Sequence, residues 1–327
     1  MKILVPDVPF DLAFTALLPD GGASFGPGGT DIVVAYAMKE PVPEEHVDAD
    51  VLVTWSSPPR VVADAARRLT RLRWVQTLAA GPDVAVAANF APDVVIASGR
   101  SLHDDTVAEH TLGLVLALVR RLDVSFAAQR EHRWAKEITF AQEDPATAAS
   151  YTLDGARVTI WGFGSIAAVL APLLSALGAQ VTGVAGTAGE RHGFSVVTAD
   201  DLPTLLPRTD VLISLLPATP QTRHALDAAT LAFLPPHARF VNVGRGATVD
   251  EAALVDALRG GRLAGAALDV MQTEPLPADS PLWDAPGMIL TPHVAGGRPR
   301  GAARFLAEQL TAWRTGGREA LRNVVVR

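Results

Sequence analysis

The stretch VTIWGFGSIAAVL (Val158–Leu170) runs an apolar strand through Gly162-x-Gly164 into a helix-forming segment. Gly162 permits a tight turn and Gly164 lets backbone approach a pyrophosphate. The amino end of a helix opening at Ser165 then offers free N–H groups and the positive end of its dipole. The third small position is Ala167 rather than glycine, an accepted variant that adds one methyl where helix packs on strand. Alone, this pattern reads equally as an ordinary strand-to-helix turn. Its context, with the strand QVTGVA (Gln180–Ala185) completing a βαβ unit, favours a dinucleotide.

Which dinucleotide depends on the end of that second strand. An acid about twenty residues past the glycines would bind the adenosine ribose and favour NAD. Here VTGVAGTAGERHG (Val181–Gly193) places Ala185, Gly186 and Thr187 there, with Glu190 further along the loop. Without the carboxylate nothing repels a 2′-phosphate, and Thr187 and Arg191 can donate to it. The reading leans to NADP over NAD; the alternative leaves Arg191 a solvated charge in a tolerant site.

On either side of this stretch, short apolar runs alternate with Ala/Leu-rich segments. KILVP, DIVVAY, DVLVTW, RWVQTL, VVIAS, RVTIWG, QVTGVA, DVLISLLP, RFVNVG, GAALDV and MILTP read as strands. Their continuous apolarity predicts strands covered on both faces, as in parallel sheets. Helices are expected at Val61–Leu72, Asp104–Arg121, Ser165–Leu177, Glu251–Arg259 and Ala302–Thr315, and QEDPATAASY (Gln142–Tyr151) reads as a surface loop. The fold class is therefore α/β with two doubly wound parallel sheets. Helix Asp104–Arg121 would carry the chain into the second domain, and the last helix would return it to the first. The expected domains are 1–100 with 295–327, and 101–294.

The composition narrows the function. The 327 residues carry a net charge of −7, with no basic stripe for a nucleic acid. Cysteine is absent, which removes thiolate chemistry and Cys-ligated metal. No histidine or carboxylate spacing suggests a metal. The longest apolar run, TLGLVLALV (Thr111–Val119), is too short for a bilayer. MKILVPDV opens as a strand rather than a signal peptide, so a cytoplasmic protein is expected. Trp55 reads as a packing residue, or alternatively as a wall of a substrate pocket.

Three further stretches place a polar residue beyond an apolar strand, where open α/β sheets bind ligands. They are FVNVGRGATVDEAAL (Phe240–Leu254), GAALDVMQTEPLP (Gly265–Pro277) and ILTPHVAGG (Ile289–Gly297), supplying Arg245, Glu274 and His293. Histidine suits proton transfer to or from a substrate oxygen near neutral pH. A carboxylate beside it orients the ring and stabilises its cation, and arginine grips a carboxylate through its planar fork. Each has a bland alternative: Arg245 a helix-end contact, Glu274 a cap near Pro275, His293 a satisfied residue beside Pro292.

Taken in order, these stretches resemble the D-isomer-specific 2-hydroxyacid dehydrogenase family, which includes glyoxylate/hydroxypyruvate reductases and phosphoglycerate dehydrogenases. The likeness runs from about Trp74 to Leu310 through WVQTLAAGPDVA, VAEHTLGLVLALVR, DVLISLLPATPQTRHAL, VNVGRGATVDEAALVDAL, AALDVMQTEPLPADSPLW and TPHVAGG. It implies a Rossmann-type cofactor domain and a discontinuous, flavodoxin-like substrate domain. It implies Arg245 as the substrate arginine, Glu274 as the partner of histidine, and His293 as acid/base. Backbone N–H groups near Ala79, Ala80 and Gly81 would meet the substrate carboxylate. Ser165 and Ile166 would lie at the pyrophosphate turn, Leu216, Pro217 and Thr222 further along the cofactor, and Val243 and Asp269 near the nicotinamide. A homodimer reducing small 2-keto acids is implied. Two rivals share the architecture: an NAD-sensing scaffold, and a formate dehydrogenase, which usually carries Gln where Glu274 stands.

Overall fold

The structure, a computed structural model, describes residues 1–26 and 28–325. It divides into two compact units, Met1–His103 with Arg298–Arg327, and Asp104–Gly297.

The first unit begins with β1 (Lys2–Pro6), β2 (Ile32–Tyr36), β3 (Val51–Thr54), α1 (Pro59–Arg68), β4 (Trp74–Thr77), α2 (Asp83–Ala87) and β5 (Val95–Ala97). The strands form one parallel sheet in the order β2-β1-β3-β4-β5. Every residue of β3, β4 and β5 is buried, as their unbroken apolar runs require. β2 departs from that expectation: Ile32 is 48% exposed and Val33 36%. It is the edge strand, and its connection to β3 holds one 3-10 turn at Glu44–His46, too small to cover it. Helix α1 starts earlier than the apolar spacing suggests, because Pro59 fits the first turn, where no N–H is needed. It ends at Arg68, and Leu69 and Leu72 instead enter the core from the following turn.

The second unit comprises α3 (Asp104–Val119), α4 (Leu122–Arg130), α5 (Lys136–Glu143), β6 (Arg157–Trp161), α6 (Ser165–Ala176), β7 (Gln180–Val184), β8 (Gly189–Arg191), β9 (Phe194–Val197), α7 (Leu202–Leu205), β10 (Val211–Ser214), α8 (Ala228–Leu231), β11 (Arg239–Asn242), α9 (Glu251–Arg259), β12 (Gly265–Leu268) and β13 (Met288–Leu290). Helix α10 (Ala302–Gly316) belongs to the first unit. The second sheet runs β13-β12-β11-β10-β6-β7-β9-β8. From β6 the chain first builds outward through β7, then restarts at β10 on the other side. The crevice beyond β6 and β10 is thus a topological switch point.

The doubly wound parallel sheets expected from the sequence are present, with two local departures. No strand was expected at β8, which pairs antiparallel with β9 at the edge of the second sheet. His192 and Gly193 between them both take positive φ, as a two-residue hairpin turn demands. The stretch Gly189–Arg191 has no apolar residue to announce a strand. The segment Gln142–Tyr151 is also not all loop: α5 runs through Glu143 and a 3-10 turn occupies Ala148–Tyr151. Helix α5 is only eight residues long and none of them is buried, so it presents no core-facing stripe of the usual length.

At the amino ends of β6, β10 and β11 one carboxylate binds the sheet together. Asp210 accepts from the Arg157 N–H (2.7 Å), Nε (3.0 Å) and Nη2 (2.8 Å), and from His237 Nε2 (2.8 Å). Burial pushes its carboxyl up, but these donors outweigh burial and hold it down at about 2, against an ordinary 3.8. A carboxyl lowered by folding stabilises the native state fully above its unfolded value and loses that contribution as pH falls toward the folded one. Asp210→Asn is therefore expected to lower the melting temperature at pH 7. The deficit should shrink between about pH 4 and pH 2, which thermal unfolding across that range would measure.

Candidate active site

The carboxyl ends of β6, β10, β11 and β12 are drawn together by glycines. Gly162, just past β6, has φ +104°, and a Cβ there would lie 2.8 Å from the Leu215 carbonyl beyond β10. At Gly244, past β11, a Cβ would meet Leu216 O at 2.6 Å. At Gly246 it would sit 2.0 Å from both Met271 C and Met271 O, beyond β12. Real Cβ atoms do not approach so closely, so four neighbouring strand ends meet backbone to backbone only because these positions lack side chains. The sequence pattern marks Gly162 as the first glycine of the turn, but nothing in it distinguishes Gly244 and Gly246 from ordinary turn residues.

This seam carries the candidate catalytic groups. Arg245 lies between its last two glycines; its carbonyl accepts from Thr248 Oγ1 (2.6 Å) and Asn242 Nδ2 (3.2 Å), and its Nη1 donates to Gly244 O (2.7 Å). Across the Gly246–Met271 contact, the Met271 N–H donates to Glu274 Oε1 at 2.9 Å. The other carboxylate oxygen, Oε2, lies 2.7 Å from His293 Nδ1. An ionised carboxylate can only accept, so Nδ1 carries a proton and Nε2 is the atom left for chemistry. The His293 side chain is 49% exposed, open to a substrate. Beside this pair, burial raises the Glu251 carboxyl above its usual range, with the Glu274 charge adding in the same direction, while the Gln272 N–H opposes both.

His293 has φ +53°, a left-handed conformation uncommon for a non-glycine residue. Asp269 holds it there. The His293 N–H donates to Asp269 O (2.8 Å), and the Asp269 carboxylate accepts from Thr291 Oγ1 (2.6 Å), Val294 N (2.9 Å) and Ala295 N (3.0 Å). His110 on α3 reaches the same group, its Nε2 3.0 Å from Thr291 Oγ1. Asp269 is buried, and both its oxygens serve the histidine-bearing loop. Sequence reasoning assigned Asp269 to the cofactor and gave His110 no role; the α3 spacing alone does not show what His110 faces.

On the cofactor side, a Cβ at Gly164 would meet nothing within 4 Å, and no side chain caps the amino end of α6. Ala167 is fully buried, its methyl absorbed by the core. Ile166 packs partly against the same core, and Ser165 Oγ donates to Asp104 Oδ1 at 3.1 Å. An uncapped helix amino end behind an open, glycine-lined turn fits a pyrophosphate. Thr187 and Arg191 are brought together: the guanidinium donates to Thr187 O (3.0 Å), Thr187 Oγ1 and Phe163 O (3.3 Å), linking the end of β7 to the glycine turn. Leu216 and Val243 are buried, Pro217 is exposed, and Thr222 Oγ1 donates to Pro217 O (2.6 Å), closing that turn. In the first unit the Ala79 N–H is already engaged by Thr77 Oγ1 (3.2 Å), leaving the Ala80 and Gly81 N–H groups as the open donors of that loop. Among the described residues no cluster suits a metal, and no helix is long and apolar enough to cross a membrane.

Comparison with known proteins gives the family. The profile of the D-isomer specific 2-hydroxyacid dehydrogenase NAD binding domain matches residues 112–295. The chain belongs to the D-isomer specific 2-hydroxyacid dehydrogenase family. Within it, a glycerate dehydrogenase from Methylorubrum extorquens is 34% identical over 279 residues, covering 82% of this chain and 83% of that one. A D-3-phosphoglycerate dehydrogenase from Mycobacterium tuberculosis is 34% identical over 252 residues, 76% of this chain; the match spans only 45% of that longer protein. A crystal structure of a D-isomer specific 2-hydroxyacid dehydrogenase from Xanthobacter autotrophicus Py2, in complex with NADPH and MES, shares 33% identity and a TM-score of 0.76. It covers 99% of this chain and 98% of the other.

Proposed function

We propose that this dehydrogenase-family chain is an NAD(P)H-dependent reductase of small 2-keto acids, giving D-2-hydroxy acids, with a preference for NADPH. The observation that carries the reading is the 2.7 Å Glu274–His293 pair, joined to Arg245 through the Gly246–Met271 contact. A bound nicotinamide supplies the hydride in reduction and takes it in oxidation. Arg245 binds the substrate carboxylate and polarises the adjacent carbonyl. Glu274 fixes the Nδ1–H tautomer of His293, so that Nε2 delivers a proton to the substrate oxygen, or removes it in reverse. Asp269 keeps the histidine loop in register. The open N–H groups of Ala80 and Gly81 offer further donors to a carboxylate. The first unit then serves as the substrate domain and the second as the cofactor domain.

The bridge between Arg191 and Thr187 supports NADPH, because a 2′-phosphate can take up both donors where no acid repels it. The NADPH complex of the Xanthobacter relative supports the same choice. Initial rates with glyoxylate, hydroxypyruvate and pyruvate, each with NADH and NADPH, test the reading. Turnover of at least one 2-keto acid is expected; none with either cofactor would leave a cofactor-binding scaffold instead. In the same assay Arg191→Ser should raise KM for NADPH about tenfold, the scale of one charge-assisted hydrogen bond, and leave NADH nearly unchanged.

A homodimer is part of this proposal. Phe126, Trp134 (82% exposed) and Phe140 lie exposed along α4, α5 and their connection, an apolar series suited to a second copy of the chain. A cytoplasmic location is part of the same proposal.

A further inference from the structure

In the first unit, the loops after four parallel strands gather at one end of the sheet: Phe10 beyond β1, Trp55 beyond β3, Leu78–Gly81 beyond β4 and Gly99–His103 beyond β5. Their packing is specific. The His103 ring stacks on the Trp55 indole with centroids 5.4 Å apart and planes 11° from parallel, and Phe10 meets Trp55 edge-on at 6.0 Å. His103 is 4% exposed, and its Nε2 lies 2.9 Å from Leu78 O. A carbonyl only accepts, so Nε2 carries the proton and donates.

That bond falls at the root of the Ala79–Ala80–Gly81 loop. Leu78 N donates to Thr54 O (2.9 Å), Ala79 N to Thr77 Oγ1 (3.2 Å), and Gly99 N to Ala79 O (2.8 Å). Gly99 passes so near that a Cβ there would lie 2.2 Å from Leu78 O. Both polar groups of Leu78 and of Ala79 are thereby engaged, and the loop's open N–H groups begin at Ala80. Among the described residues, His103 is the side chain that reaches into this frame from outside the β4 segment. Its ring is pinned in turn by the Trp55 stack.

We propose that His103 is a positioning residue for substrate: by holding the Leu78 carbonyl it aims the Ala80 and Gly81 N–H groups at a 2-keto acid's carboxylate. This rests on the reading of the chain as a 2-keto acid reductase. Donors fixed before the ligand arrives cost no reorganisation when they are used. Trp55 acts at one remove, by fixing the plane of the imidazole.

The test compares wild type, His103→Phe, which keeps a stacking ring but no donor, and His103→Gln, whose amide nitrogen can reach the place of Nε2. With saturating NADPH, His103→Phe should raise KM for glyoxylate about tenfold with kcat within about twofold of wild type, and His103→Gln should recover most of the loss. Amide hydrogen exchange at Leu78 and Ala79 should quicken in His103→Phe and less so in His103→Gln. An unchanged KM in His103→Phe overturns the proposal, as does equal loss of kcat and thermal stability in both variants, which marks mere packing. Should wild type reduce no keto acid, the function reading fails separately, and unchanged exchange in His103→Phe would still refute the positioning role.

Discussion

His293→Ala is expected to lower kcat for 2-keto acid reduction by about a thousandfold, the middle of the range for a positioned general acid, with NADPH affinity unchanged. The separation follows from the geometry. His293 faces solvent from a loop clasped by Asp269, whereas the turn proposed to hold the dinucleotide comprises Gly162, Gly164 and the amino end of α6. The clasp holds through the His293 backbone N–H, which alanine retains. Loss of folding is thus a poor explanation for any fall in rate. Steady-state kinetics with fluorescence titration of NADPH would show both quantities, and a kcat within tenfold of wild type would remove His293 from the chemistry.

Gly246→Ala is expected to damage stability and activity together. Its Cβ would stand 2.0 Å from Met271 C and O, both backbone atoms next to a strand paired in register, Asn242 with Leu268. Overpacking of this kind costs about 1–3 kcal/mol, and any relief moves Arg245 away from the Glu274 segment. A fall in kcat/KM of at least about tenfold should accompany it, because small misplacement of catalytic groups is costly. Gly164→Ala is the informative contrast, since nothing lies within 4 Å of a Cβ there. Near-wild-type melting with a raised KM for cofactor is expected of that variant. Gly246→Ala with unchanged melting temperature and kcat/KM would contradict the account of how the site is assembled.

The strands were legible because burial on both faces leaves continuous apolar runs, as in VLVT (Val51–Thr54) and VLIS (Val211–Ser214). Elements without such burial were not. β8 has no apolar residue and α5 buries nothing, whereas β2 was legible as a strand in DIVVAY and only its open edge was not. At the site, residue chemistry marked Arg245, Glu274 and His293 as candidates, but their roles came from family resemblance rather than from spacing. What local sequence could not display was the contact of one strand end with the next. The need for glycine at 162, 244 and 246 arises from backbone on another strand. The same holds for His103, whose acceptor is 25 residues away, and for His110, whose partner Thr291 is 181 residues away.

In the proposed reduction these residues serve direct hydride transfer to C2 of a 2-keto acid, a step that isotope transfer reads out. The protein would be incubated with glyoxylate and NADPH deuterated at C4 on either face, and the glycolate analysed by mass spectrometry. One deuterium at C2 is expected, delivered from one face of the nicotinamide only. Glycolate formed without deuterium from either label, or oxidation of NADPH with no glycolate at all, would contradict that transfer.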